Sequence, residues 1–215
     1  MRKKFLSMMF MSTLLGFAQS SKGFVSIDVA KDFNESAFTY FTNAPILIVG
    51  DQTASNAMTI GWGAIGNVWS YKPAITVYVK EMRYTHDFME KSKYFCVMDF
   101  DDPSVADYLG SHSGRDGDKA KALGLTVAYT SNGTPYYQEA TLVLECETMY
   151  GAPFQPSGFR NNDPKNFYQR SPGLHSMYIG RVVNAWRKAL RSVDAVTFAP
   201  MMEKRNTTLL DVRTA

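Results

Sequence analysis

The sequence predicts a mainly β protein, an antiparallel barrel with a few short helices set between its strands. Three observations point there. Short runs rich in β-branched and aromatic residues recur along the chain, each bounded by Gly, Pro, Asp or Lys. An Asn132-Gly133 pair sits between two such runs, and Asn-Gly accepts the positive φ angles of a tight hairpin turn. No long amphipathic segment lies between the runs, and parallel strands would need one as a crossover. Many short, evenly spaced strands close most economically into a barrel.

The elements follow in order. After a polar lead-in from Ser20 to Ser36, strands are expected at 45–50, 73–80 and 94–100. Residues 125–130, the Asn-Gly turn and 136–150 form a hairpin. On its second arm Leu142, Leu144 and Cys146 alternate with Thr141, Val143, Glu145 and Glu147, the two-residue period of a strand. A last strand spans 177–186. Three helices are expected: 85–91 with Thr85 as N-cap, one opened by Asp102-Pro103 and ending near Gly110, and 116–123 stopping at Gly124. Residues 151–175, with their Pro, Gly, Asn and Asp, read as a long ordered loop. There is no internal repeat.

Composition sets the outer limits. The 215 residues are 45% hydrophobic and 20% charged, with 14 Phe, 12 Tyr and 3 Trp, enough apolar material for one sizeable core. The formal charge of +3 is carried by the N-terminus: without Arg2, Lys3 and Lys4, 20 of the 23 basic residues remain against 20 acidic ones. A balanced chain lacks the electrostatic footprint of a nucleic-acid binder. Met1–Lys4 is a positive start, Phe5 to Phe17 is largely apolar, and Ala18-Gln19-Ser20 supplies a small-x-small pattern. That is the layout of a signal peptide over residues 1–20, so export to the periplasm or beyond is expected; a short buried or interfacial helix is the other reading. No later run approaches the roughly 20 residues of a membrane span, so no stable membrane anchor is expected. Cys96 and Cys146 form no CxxC pair, which excludes a zinc ribbon but leaves one disulfide open. His86, His112 and His175 are too scattered for a sequence-local metal site.

Three segments could carry chemistry. Residues 56–66 combine Asn56, Met58, Thr59 and Trp62 with Gly61, Gly63 and Gly66, offering polar groups, a stacking face and close backbone approach for a flat ligand; a glycine-kinked strand around a buried Trp would look the same. Arg83-Tyr84-Thr85, at the start of a short helix, has the guanidinium, hydroxyl and free N–H groups of an anion site suited to phosphate, or is an ordinary cap. Residues 111–119 form a polar loop in which Ser113, Gly114, Arg115 and Lys119 could hold a second phosphate, a ribose or a ring edge, or could be a solvated turn with Arg115–Asp118 or Asp116–Lys119 pairs. No GxSxG, P-loop or GxGxxG anchors a hydrolase, nucleotidase or dinucleotide-binding reading.

Taken in order, SNAMTIGWGAIGNVWSYKPAITVYVKEMRYTHDFMEKSKYF, GSHSGRDGDKAKALGLT, YYQEATLVLECETMY and HSMYIGRVVNAW resemble the flavin reductase-like, FMN-binding split-barrel family, in its flavoredoxin branch. The likeness runs over residues 37–186, about 70% of the chain. It implies a six-stranded antiparallel split barrel of Greek-key type, usually a homodimer, with FMN as cofactor. It further implies that Asn56, Met58 and Thr59 meet the polar edge of the flavin ring, with Trp62 and Gly63 behind it. Arg83 and Thr85, flanking Tyr84, would hold the phosphate, while Ser113, Gly114, Arg115 and Lys119 close the other side. The chain departs from the family pattern at His112 and Arg181, where relatives carry Lys and Glu. A further 29 residues follow Trp186. The resemblance implies an oxidoreductase that passes a hydride from NAD(P)H to FMN and on to an acceptor; the alternative is an FMN-binding electron carrier that uses no nicotinamide. No catalytic side chain is assigned, because the flavin itself would do the chemistry.

Overall fold

The computed structural model describes residues 23–69 and 71–189; the expected signal peptide, residues 1–20, lies outside them, as does most of the segment after Trp186. Ten strands and five helices follow one another: β1 (Phe24–Ser26), α1 (Val29–Asp32), β2 (Ile46–Gly50), β3 (Ser55–Thr59), β4 (Gly63–Asn67), β5 (Pro73–Lys80), α2 (Tyr84–Met89), β6 (Tyr94–Asp99), α3 (Pro103–Ser111), α4 (Lys119–Leu123), β7 (Val127–Tyr129), β8 (Pro135–Tyr137), β9 (Leu142–Pro153), α5 (Asn162–Arg170) and β10 (His175–Lys188).

One antiparallel sheet runs β3-β2-β6-β9-β10-β5-β4, with β1 added to β10, and β7 and β8 form a separate hairpin. The sheet is not closed: β3 and β4 are its two edges, consecutive in the chain but joined by no ladder among the described residues. Eight strands thus stand where six were expected. The polar lead-in contributes β1, and the glycine-rich stretch divides into β3 and β4. The two longest strands, β9 and β10, pair along almost their whole length and shift register between Ile179 and Gly180 and between Val182 and Asn184. Such irregularities bend a ladder, and here they fall on the strand pair that must curve most.

Both faces of the sheet are buried. Leu47, Val49, Phe95, Val97, Leu144 and Cys146 belong to one cluster, while Ile46, Ile48, Cys96, Met98 and Val143 belong to another, covered by α3, α4 and the β7–β8 hairpin. This explains why β2 and β6 read as unbroken apolar runs: alternate side chains enter different cores. It also settles the cysteines. Cys96 and Cys146 are both free and fully buried, on opposite faces of neighbouring strands, so no disulfide joins them.

The helices differ from expectation at their starts. Arg83, not Thr85, is the N-cap of α2, and its side chain makes no capping bond; Thr85 lies inside the helix and is buried. Asp102 caps α3 as expected, whereas α4 begins only after Asp118, whose carboxylate caps it. The long second arm of the expected hairpin is two strands, β8 and β9, with a turn between them. The expected loop 151–175 is only partly loop. β9 runs into it as far as Pro153, and α5 occupies nine of its residues, capped by Asn161. Inside the sheet, the fully buried Glu145 accepts hydrogen bonds from Thr130 (2.5 Å), Thr134 (2.6 Å), Asn132 (3.2 Å) and Asn184 (2.6 Å). It fastens the hairpin turn to β9 and β10 through neutral donors alone, which fill its acceptor positions in place of water.

Candidate functional site

β3, the start of α2 and the loop before α4 converge as the motifs suggested. The buried Asn56 of β3 donates through Nδ2 to Thr85 Oγ1 at 2.7 Å, tying the first two segments together across 29 residues. Gly114 sits against this pair: a Cβ there would collide with Asn56 Oδ1 and press on the Tyr84 ring. The close approach of loop and strand therefore requires glycine. Arg115 lies over the Tyr84 ring, 4.8 Å from its centroid, and pairs with Asp87 at 2.9 Å; neither loop pair read from the sequence forms. Ser113 accepts from the Arg115 N–H at 3.2 Å and so shapes the turn.

Asn56, Tyr84, Gly114 and Lys119 line one cleft of about 400 Å³, inside the range of about 300–1,000 Å³ usual for small-molecule sites. Lys119 is not a free cation there. Its ammonium is buried and donates to the carbonyls of Ala57 (2.5 Å), Leu109 (3.1 Å) and His112 (3.1 Å). Burial first, and Arg83 second, lower its pKa. Arg83 is the contrasting case. It is exposed, and among the described residues no hydrogen bond or ion pair engages its guanidinium. Its field reaches both Lys119 and His175, lowering the pKa of each.

Two expected residues stand apart. Trp62 and Gly63 line a different cleft, of about 420 Å³, with Phe41, Tyr78 and Phe154; the Phe41 ring covers Gly63 so closely that no Cβ would fit. On its other side Trp62 borders an apolar cleft of about 770 Å³ with Phe154, Phe159, Phe167 and Tyr168. Thr59 spends its hydroxyl on the Ala106 carbonyl of α3, and Met58 packs against the inner core.

The sequence reading missed the far wall of this site. His175, at the start of β10, stacks on Trp62 with ring centroids 4.7 Å apart, and its Nδ1 meets the Tyr168 hydroxyl of α5 at 2.9 Å. Burial, then Lys80 and Arg83, lower His175 to about 4, so the ring is neutral near pH 7. Phe167 of α5 also contacts Trp62, at 5.0 Å. The available signal was Asn161-Asn162-Asp163-Pro164, a capped helix start with proline in its first turn. His112 stacks on Tyr108 at 3.9 Å, and Arg181 pairs with Glu147 at 2.5 Å; both departures from the family pattern have local structural partners. Among the described residues no group of His, Cys, Asp and Glu is placed to hold a metal, and no helix is long and apolar enough to cross a membrane.

Comparison with solved structures finds the same fold in flavin proteins. The chain is similar to flavoredoxin from Methanosarcina acetivorans, with TM-score 0.54 and 21% identity over 70% of this chain and 71% of that one. It is similar to an FMN-binding domain of a flavin reductases-like enzyme from Shewanella baltica, with TM-score 0.54 and 19% identity over 77% of each chain. An FMN-binding protein from Thermus thermophilus, solved with bound 1-cyclohex-2-enone, gives 0.51 and 23% over 67% and 70%. No curated protein matches the chain. The family model of the flavin reductase like domain matches residues 39–201, most of the described fold. The protein belongs to the flavin reductase-like family.

Proposed function

We propose that the protein binds FMN and acts as an oxidoreductase that takes reducing equivalents from NAD(P)H. The observation that carries this reading is the partnerless Arg83 beside the Asn56–Thr85 hydrogen bond, in a chain of this family. Arg83 is the one cation of the motif with charge to spare, and a planar guanidinium suits a terminal phosphate. Asn56, Tyr84 and the Gly114 backbone would line the cofactor's path. Trp62 and the aromatic wall around it would offer flat apolar surface to a ring system. Lys119 would act by holding β3, α3 and the 112–118 loop in place rather than by touching the ligand. When bound, FMN would supply the hydride-accepting and electron-passing chemistry, so the protein's part is to bind, orient and tune it. Neutral His175 keeps a third positive charge away from Arg83 and Lys80 at the aromatic wall.

The exposed aromatics Phe38 (95%), Trp69 (70%) and Tyr71 (99%) would suit burial against a second copy, the homodimer usual in the family. The test is anaerobic. Flavin-free protein is titrated with FMN, followed by fluorescence quenching, then mixed rapidly with NADH or NADPH while flavin absorbance is monitored, with light scattering on the same sample. Bleaching at a saturable rate supports the reductase. Tight FMN binding without bleaching supports the electron-carrier alternative. Failure to bind or be stabilised by FMN overturns both, and a monomer mass with FMN bound overturns the dimer.

A further inference from the structure

A second cleft, of about 430 Å³, opens on the side of α3 away from the motifs and shares no lining residue with the Asn56–Lys119 cleft. Five carboxyl groups border it, from Glu35, Asp99, Asp101, Asp102 and Asp107, against one guanidinium, Arg187. Arg187 answers only part of this charge, meeting Glu35 Oε1 at 2.8 Å. The other oxygen, Glu35 Oε2, is buried with no donor. Tyr40 is 2% exposed, lines the cleft and has a buried hydroxyl with no hydrogen-bond partner. Buried polar atoms left without partners cost about 1–3 kcal/mol each, so two in one cleft are unusual in a native fold. Asp102 is partly committed, capping α3 through the Ser104 N–H at 2.9 Å. Burial raises Asp99 to about 6; Tyr40 beside it lowers it in part, Glu35 raises it and Arg187 lowers it. That balance indicates a carboxyl short of positive charge.

The cleft is also not purely polar. Phe100, Pro45, Pro103 and Ala106 give it an apolar side. A bare metal ion does not fit this arrangement, since no three carboxylates among the described residues are close enough to ligate one. A larger cation with several N–H donors does. We propose that this cleft binds a small aliphatic primary amine, its ammonium donating to Glu35 Oε2 and the Tyr40 hydroxyl among the acidic groups and its carbon chain lying along Phe100 and Pro103. An ammonium presents three donors and no acceptor, which matches the orphaned acceptors and the excess of carboxylates.

Binding is measured calorimetrically on the full chain, with and without FMN, using n-butylamine, 1-butanol of the same length, and tetramethylammonium, which is charged but has no N–H. Saturable binding of n-butylamine alone, equal with and without FMN, is the expected result. Asp107→Asn, at the exposed rim, and Glu35→Gln should each weaken it about tenfold, the scale of one charge-assisted contact. Asp107→Asn removes no hydrogen bond that holds the fold, so it keeps the test valid should Glu35→Gln unfold. No saturable heat with n-butylamine, equal binding of butanol or tetramethylammonium, or affinity unchanged by Asp107→Asn overturns the proposal.

Discussion

Arg83 and Lys119 show why residue type alone does not assign a ligand contact. Both are cations in motif positions, but Lys119 is filled by three backbone carbonyls and Arg83 is not engaged. Arg83→Ala is expected to weaken FMN by roughly 1.5–3 kcal/mol, about one to two decades in dissociation constant, while riboflavin, which lacks the phosphate, is hardly affected. Arg83→Lys should recover only part of the loss. Lys119→Met should do the reverse. It strands three carbonyls, costs on the order of 1–3 kcal/mol in urea unfolding, and affects FMN and riboflavin alike. Equal losses of both flavins in Arg83→Ala would move Arg83 to a structural role. His175 makes a separate prediction. Its folded pKa, about 4, lies below the ordinary 6.5, so the unfolded chain takes up the proton first. Stability contributed by neutral His175 is intact above pH 6.5 and is lost as pH falls through 6.5 toward 4. Its ring resonances in a proton NMR titration should stay at their neutral positions down to about pH 5; a midpoint near 6.5 would contradict the burial against Trp62 and Tyr168.

The legibility of each element followed from where its side chains go. β2, β5 and β6 are dense in β-branched and aromatic residues because the sheet buries both faces, and their positions read correctly within a residue or so. The motif residues Asn56, Thr85 and Gly114 do meet. What could not be read was commitment: the sequence carries no sign that Lys119 ends on carbonyls or that Thr59 turns to α3, since both depend on contacts distant in the chain. α5 was hidden for a different reason. It has no fully buried residue, so its apolar periodicity is weak, and Phe167 and Tyr168 reach Trp62 and His175 only through tertiary placement. Its stability should therefore depend heavily on the Asn161 cap, whose Oδ1 accepts the Asp163 N–H at 3.1 Å. Asn161→Ala is expected to cost the helix about 1 kcal/mol. Amide exchange across Asn162–Arg170 should quicken about fivefold, with the global unfolding midpoint nearly unchanged. Unaltered exchange would show that the aromatic contacts, not the cap, hold α5.

At the scale of the whole molecule, the sheet is organised around the β9–β10 pair, and β1 is a three-residue addition to the far end of β10. Phe24 lies opposite Lys188, and the Ala189 N–H donates to the Gly23 carbonyl at 2.6 Å. The first and last described residues are thus neighbours, so anything fused before Gly23 or after Ala189 leaves the barrel from one spot. Because Cys96 and Cys146 are sealed in the core, cysteines introduced at the exposed Val25 and Lys188 can be dye-labelled selectively. Energy transfer between such dyes would work as a strain gauge on this clasp. With so short a ladder to break, the signal should fall at a lower urea concentration than the tryptophan fluorescence that follows the core, and a single shared transition would mean the clasp opens only when the whole barrel does.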